Sequence, residues 1–248
     1  MMKLMTQPGA GITALLEGLR QAQESIEIVI FRLDKKEIEA ALQAAVARGV
    51  AVKALVAYTS GNGERSLRRL EMRLLESGVT VNRTADNLLR YHNKMLIVDR
   101  RTLYLLTFNY TTIDIDYSRS FGVITDEPDV VAEAVKLFTA DTTRQPYTPG
   151  LDRLLVSPLN ARSQLAAFLS GAQKQLWIYD KITGRDRQMP GILQERAQAG
   201  VEVRILGNLG KMGGTFRQFI SSPDYASCTR ASFCVMGTSL RRQSSRKS

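Results

Sequence analysis

The 248-residue sequence is poor in cysteine and histidine, with two cysteines and one histidine. The two cysteines, Cys228 and Cys234, match no spacing of a structural metal site. Two cysteines close to one end also exclude a disulfide framework, which needs several half-cystines along a short chain.

The sequence also lacks a long apolar run and an N-terminal secretory pattern. The longest apolar candidate, Ile26–Phe31, is interrupted by Glu27 and is only as long as a strand, whereas crossing a bilayer takes about 20 apolar residues. The segment Met1–Gly11 has no charged region followed by an apolar stretch, as a signal peptide would. We therefore expect a cytoplasmic protein.

Acidic residues are in deficit. There are 24 acidic and 34 basic residues, which gives a net charge of +10 and a pI of about 9.8. This balance favours anionic partners, namely nucleic acid, an acidic membrane surface or a phosphorylated substrate. Residues 229–248 contain five basic residues and no acid, so half of the excess lies in the tail and charge alone does not choose among these partners.

Hydrophobic periodicity alternates between helix and strand along the first half of the chain. Helical spacing of apolar residues over Ile12–Ala22 is followed by a strand-like segment, Ser25–Phe31. Further helices end at Gly49 and Gly78, where a left-handed residue commonly closes a helix. The pattern predicts an α/β fold. The other predicted segments are helices at 37–48, 65–77 and 128–142 and strands at 50–57, 79–82, 94–98, 103–108 and 119–124.

The α/β pattern starts again after the proline-containing segment Arg144–Pro149. A predicted helix and strand over 165–180 repeat the order seen over 15–31, and Ala47–Lys53 matches Gln198–Arg204 at an offset of about 150 residues. Two successive matching units in the same order indicate an internal duplication. We therefore predict a first repeat over residues 1–143, the start of a second over 150–210, and an irregular tail over 211–248.

The tail carries no recognisable second-repeat pattern. Ser227–Gly237 fits no strand, and Ser239–Ser248 is basic, serine-rich and without periodicity, a composition typical of disorder. Permitted codons for Ser227–Gly237, read from the third base, encode a His-x-Arg-x4-Asp pattern. Two interpretations stay open: a frameshift that interrupts the second repeat, or an authentic disordered tail.

The histidine lies in a compact constellation of the form His-x-Lys-x4-Asp, made of His92, Lys94 and Asp99. Residues two apart in an extended strand share a face, so His92 and Lys94 are predicted to project together from the start of a strand. Asp99 would emerge at the far end of that strand, within the turn of a hairpin. That is an unusual position for a direct partner of His92.

These residue types suit attack on a phosphodiester. A neutral imidazole can attack phosphorus and form a covalent phosphohistidine, and Lys94 would stabilise the negative charge that builds on the phosphoryl oxygens. Asn109, after the second hairpin strand, offers an amide donor for a phosphate oxygen. The alternative is purely structural, with His92 an ordinary surface or core residue and with Lys94 and Asp99 capping a strand and shaping a turn.

His92-x-Lys94-x4-Asp99, followed by a hairpin, Asn109 and the strand Ser118–Val123, resembles the HKD motif of the phospholipase D superfamily. The resemblance covers residues 1–210 and implies a duplicated α/β/α sandwich, here with an incomplete second lobe. In that family one motif's histidine is the nucleophile and the other's protonates the leaving group. The lysines bind phosphate, the aspartate supports the histidine, and no metal or other cofactor is needed.

The resemblance is imperfect around the phosphate-binding residues. The family's Gly-Ser-x-Asn is Leu106-Thr107-Phe108-Asn109 here, so Thr107 and Asn109 are the implied substrate contacts. A glutamate often found near the next strand is replaced by Ser118 and Ser120, and the second repeat contains no histidine. The chain would then hold half of a site and be impaired, or two copies would pair as a homodimer with two His92 residues across a two-fold axis.

Three functions follow as expectations. The first is a phospholipase D-type phosphodiesterase or phosphatidyltransferase, with phospholipid favoured as substrate and peripheral contact with a membrane. The second is a nuclease that acts as a dimer, and the third is a non-catalytic basic module that binds phosphate or nucleic acid. The sequence does not decide between hydrolysis and transfer.

Overall fold

A computed structural model describes residues 1–58, 64–86, 91–179, 188–207 and 231–235. The chain divides into two compact units, Met1–Leu154 and Leu155–Ser248. The chain folds as the predicted mixture of helices and strands. None of the helices in the described ranges combines the length and the hydropathy that crossing a bilayer requires.

The first unit is built on a seven-stranded mixed sheet in the order β1-β7-β6-β5-β2-β3-β4. One side, β2-β3-β4, is parallel, as helical crossovers require, while β5, β6, β7 and β1 pair antiparallel in turn. The strands are β1 (Met2–Gln7), β2 (Ser25–Ile30), β3 (Ala51–Val56), β4 (Thr80–Arg83), β5 (Met95–Val98), β6 (Thr102–Leu106) and β7 (Ser120–Thr125).

Helices cover both faces of this sheet. The helices are α1 (Thr13–Gln21), α2 (Lys36–Ala47), α3 (Glu64–Glu76) and α4 (Pro128–Thr143). The apolar stripes of α1, α2 and α3 pack in one buried cluster with alternate strand residues, including Ile28, Ala54 and Leu96. On the opposite face, α4 packs against β3, β5 and β6. The alternation of strand side chains therefore assigns each residue near the site to the α1–α3 face or to the α4 face.

The predicted hairpin between β5 and β6 is confirmed. Asp99 and Arg100 both adopt positive φ, 51° and 50°, and the Arg101 amide closes the turn by donating to the Val98 carbonyl at 3.0 Å. Two consecutive left-handed residues are typical of a type I′ turn, whose twist matches that of the two strands. The predicted glycine cap at Gly49 is also confirmed, with φ of 86°.

The second unit repeats the helix–strand–helix–strand order of the first. It contains α5 (Ala161–Ser170), β8 (Gln175–Tyr179), α6 (Gln188–Gln198) and β9 (Glu202–Gly207). Strands β8 and β9 pair in parallel. Their inward residues form a small core with α5 and α6, in which Val203 and Ile205 are buried.

Three elements differ from the sequence-based expectation. The prediction that Ser227–Gly237 contains no strand is wrong, because Ala231–Val235 forms β10 parallel to β9. Strand β1 was not predicted and closes the edge of the larger sheet beside β7. A π-helical turn at Ile113–Tyr117 was also not predicted. The rest of the predicted irregular tail, 211–230 and 236–248, lies outside the described residues, as does most of the segment to which the frameshift hypothesis applies.

Candidate active site

The candidate site lies at the edge of the large sheet where β2 and β3 end and β5 begins. Carboxyl ends of parallel strands are the usual location of ligand sites in open α/β sheets. Phe31 follows β2 directly, and His92 and Lys94 immediately precede β5. Because β5 runs antiparallel to β2, these residues reach the same edge, which we call the site edge.

His92 and Lys94 converge on one aromatic ring. Phe31 is edge-on to the His92 imidazole, with ring centroids 4.7 Å apart and an interplanar angle of 73°. The Lys94 Nζ lies 5.1 Å from the same ring centroid and donates to the His92 carbonyl oxygen at 2.8 Å. The structure thus brings the two residues together, as the strand alternation predicted.

The two residues differ sharply in exposure. His92 is exposed, whereas Lys94 is only 2% exposed. A substrate can therefore meet the imidazole, while the ammonium acts from within a low-dielectric environment in which its charge is screened less. The arrangement suits a nucleophile at the surface supported by a fixed positive charge behind it.

Asp99 lies at the other end of β5. Its carboxylate accepts hydrogen bonds from the backbone amides of Gln23, Glu24 and Ser25 at 2.7–3.1 Å. His92 precedes the start of β5 and Asp99 follows its end, so the two residues lie at opposite ends of this strand. This placement contradicts the support of His92 that the resemblance implied, and instead matches the structural alternative, in which Asp99 shapes a turn.

The pKa of Asp99 reflects these amide donors. Burial alone would raise it, but the three backbone hydrogen bonds, together with the nearby charge of Arg101, hold the pKa below its usual range. A carboxylate that accepts several backbone N–H groups is favoured in its charged form. Asp99 therefore fastens the β5–β6 hairpin to the segment between α1 and β2.

The predicted substrate contacts Asn109 and Thr107 follow β6 at the site edge, but both are engaged within the protein. The Asn109 backbone N and side-chain Nδ2 both donate to Asp114 Oδ2, at 2.9 and 2.6 Å. The Thr107 hydroxyl donates to the Phe121 carbonyl and accepts from the Phe121 amide. Thr107 thus extends the pairing of β6 with β7, and the phosphate contacts of Thr107 and Asn109 stay predictions.

Two loops beside the site are joined to each other. The backbone amides of Asp34 and Lys35 donate to the Tyr110 carbonyl, and Asp34 Oδ1 accepts from the Thr112 amide at 2.7 Å. Lys35 Nζ contacts Asp116 Oδ2 at 2.6 Å. This hydrogen bond raises the pKa of Lys35 against the opposing effect of burial. The loop after β2 and the loop after β6 therefore form one connected rim.

The sequence did not point to three further residues at the site: Phe31, Tyr91 and Asp141. The Tyr91 hydroxyl donates to Asp141 Oδ2 at 2.6 Å, which ties the residue before His92 to the last turn of α4. Burial, followed by the charge and hydrogen bond of Asp141, raises the pKa of Tyr91. The sequence did offer one signal for Asp141, because a carboxylate in the last turn of a helix is disfavoured by the helix dipole and therefore indicates a specific partner.

Carboxylates near the site are engaged by donors of the protein. Asp114 accepts from Asn109, and Asp141 accepts from Tyr91. Among the residues that the structure describes, no three histidine, cysteine, aspartate or glutamate side chains cluster so as to hold a metal ion.

A Phe31→Leu substitution is expected to change the environment of His92 while costing less than about 1.5 kcal/mol of stability, since apolar bulk is largely kept. Because His92 is the only histidine in the chain, its imidazole C–H signals in the NMR spectrum are assigned unambiguously, and they should lose the ring-current shift from Phe31. Phe168→Leu, at an aromatic residue that is 72% exposed in the second unit, is the matched control. An unchanged imidazole signal in Phe31→Leu would contradict the contact.

The α/β/α unit that carries this site has the fold of the phospholipase D superfamily. The family model described as "Cardiolipin synthase, PLD-like domain" matches residues 15–142, which is just over half of the chain. The chain belongs to this family of phospholipase D-like domains.

One curated relative and two solved structures extend the comparison. A mitochondrial cardiolipin hydrolase of Danio rerio is 28% identical over 134 residues, which are 51% of this chain and 56% of that protein, so the chain spans little more than half of its relative. Nuc, a phospholipase D family member from Salmonella typhimurium, has a TM-score of 0.51 at 23% identity and covers 58% of this chain and 95% of its own. The polyphosphate kinase of Porphyromonas gingivalis has a TM-score of 0.73 at 18% identity, over 94% of this chain and 40% of its own. At these identities the two structures show the fold alone.

Proposed function

We propose that this protein is a phosphodiesterase of the phospholipase D type that cleaves or transfers a phosphodiester through a phosphohistidine. The observation that carries the proposal is the convergence of exposed His92 and buried Lys94 on Phe31 at the site edge of the sheet. Membership in the phospholipase D-like family supports it.

The reaction has two steps. In the first, a ring nitrogen of neutral His92 attacks phosphorus, a P–N bond forms and the bond to the leaving alkoxide breaks. In the second, water or an alcohol attacks the phosphohistidine and gives its proton to the group that protonated the alkoxide, the P–N bond breaks and the histidine is regenerated. Lys94 stabilises the negative charge that develops on the phosphoryl oxygens in both steps, from a position that is fixed before the substrate arrives.

The departing alkoxide needs a proton, and the chain has no second histidine to supply it. We propose that a second copy of the chain provides this acid, with two His92 residues brought together across a two-fold axis. General acid catalysis typically contributes 10²–10⁴-fold, so an isolated copy would be a poor catalyst.

Phospholipid is the favoured substrate class. The similarity to a cardiolipin hydrolase, an enzyme whose named substrate contains phosphodiesters, supports this choice. A cytoplasmic location with peripheral contact at an anionic membrane surface is consistent with the net charge of +10. Nucleic acid is the second candidate substrate, and it is favoured by the same charge.

The test is turnover by the purified chain of three phosphodiesters: a chromogenic aryl diester, cardiolipin in anionic vesicles, and plasmid DNA. We expect the chromogenic diester and the lipid to be cleaved, with specific activity that falls on dilution because the active species is a dimer. Cleavage of DNA but not of lipid, with binding that weakens steeply in salt, would establish the nuclease instead. Binding of anionic vesicles or DNA without turnover of any substrate would contradict a phosphodiesterase and leave a phosphate-binding module.

A further inference from the structure

Tyr91, which directly precedes His92, contacts α4. Continuing the alternation of β5 outward places Tyr91 and Asn93 on the face opposite His92 and Lys94, the face on which α4 contacts β5. There the Tyr91 hydroxyl donates to Asp141 in the last turn of α4 at 2.6 Å, and it also interacts with the Asn93 side chain. The backbone next to His92 is thus joined to a helix that is distant in sequence.

We infer that Tyr91 and Asp141 are a positioning pair that fixes the backbone carrying His92 in its reactive orientation. The inference rests on the proposed role of His92 as nucleophile. Neither residue touches the reacting atoms, so both act through the placement of their neighbour.

The cost of placing Asp141 there argues for such a role. A carboxylate in the last turn of a helix is disfavoured by the helix dipole, and removing it from water is disfavoured as well. Burial raises the pKa of Asp141, and the hydrogen bond from Tyr91 opposes that rise. The Tyr91 hydroxyl therefore stabilises the carboxylate in this position.

The position of His92 in the chain explains why a positioning pair is needed. Residues 91–94 lie before the start of β5. Within this segment, the Lys94 carbonyl accepts a hydrogen bond from the Leu106 amide of β6 at 3.0 Å. His92 is two residues further out. A displacement of about 1 Å at a reacting group can cost on the order of 10² in rate.

The experiment compares Tyr91→Phe, Asp141→Asn, Asp141→Ala and the double variant Tyr91→Phe/Asp141→Ala. We expect kcat on the chromogenic diester to fall about 10-fold in Tyr91→Phe and in Asp141→Ala, with KM changed less than about two-fold, because substrate contacts are kept while placement is lost. Asp141→Asn keeps the shape and an acceptor oxygen but not the charge, so it should be intermediate. The double variant should be no slower than either single variant, since the two residues act through one contact.

The matched control is Tyr147→Phe. The Tyr147 hydroxyl donates to Glu133 of the same helix at the same distance, 2.6 Å, and Tyr147 also lies close enough to Asp141 for that charge to raise its pKa. The control therefore removes a tyrosine–carboxylate hydrogen bond near Asp141 without removing the one that joins α4 to the segment carrying His92. Tyr147→Phe should leave kcat and the NMR signal of the His92 imidazole unchanged, whereas Tyr91→Phe should shift that signal.

The NMR readout separates failure of this inference from failure of the proposed function. Lower thermal stability in Tyr91→Phe with unchanged kcat and an unchanged imidazole signal would overturn the positioning role. If the wild-type chain turns over no phosphodiester, the proposed function fails, and the imidazole signal alone then decides whether the pair positions His92.

Discussion

A His92→Ala variant is expected to lose phosphodiester turnover by at least about 10⁴-fold, because removing a covalent nucleophile leaves only binding and electrostatic stabilisation. Its stability should stay within about 0.5 kcal/mol of wild type, as is usual for an exposed side chain. The measurements are turnover of the chromogenic diester and urea-induced unfolding followed by circular dichroism.

The intermediate gives a second measurement for the same variant. Wild-type protein quenched at alkaline pH during turnover should carry a base-stable, acid-labile phosphoryl group at its one histidine, and His92→Ala should carry none. Residual turnover above about one part in a hundred in His92→Ala would contradict a nucleophilic role and would favour water activated by another group.

The site edge could be predicted from local pattern because each contributing rule has a short range. Alternation in an extended strand places His92 and Lys94 on one face, and glycine caps mark where the helices between strands end. Neither rule predicts that Phe31 contacts His92, which the structure shows. Phe31 lies 61 residues before His92 in the chain, and only the pairing of β2 with β5 brings its ring to the imidazole.

Contacts between distant elements account for what the sequence did not yield. Tyr91 and Asp141 are 50 residues apart, and no periodicity connects a residue before a strand to the last turn of a later helix. Strand β1 was missed for a similar reason, since its pairing with β7 joins residues more than a hundred positions apart. For Asp99 the strand pattern was the better guide: it put the residue at the far end of β5, where the structure has it, whereas the family resemblance assigned it to the histidine.

Substitution of Asp99 is expected to produce the opposite result to substitution of His92, with a large loss of stability and little direct effect on chemistry. Asp99→Gly tolerates the positive φ of this position but leaves the amides of Gln23, Glu24 and Ser25 without their acceptor. Each hydrogen bond to a charged group contributes about 1.5–3 kcal/mol, and water would replace part of that contribution. We therefore expect the free energy of unfolding to fall by about 3 kcal/mol. Asp99→Asn should lose about half of that, and Asp152→Asn, at an exposed residue, should lose almost nothing.

The pH dependence follows from the direction of the shift. Since the pKa of Asp99 is lower in the folded state than in the unfolded chain, its contribution is complete above the unfolded value of about 3.9 and is lost as pH falls through the folded pKa. The stability difference between wild type and Asp99→Asn should therefore shrink on acidification below about pH 4, as measured by urea unfolding at each pH.

Turnover per folded molecule of the Asp99 variants should stay within about three-fold of wild type at neutral pH. An Asp99 variant that remains as stable as wild type but loses turnover would contradict this structural role and would indicate a catalytic one.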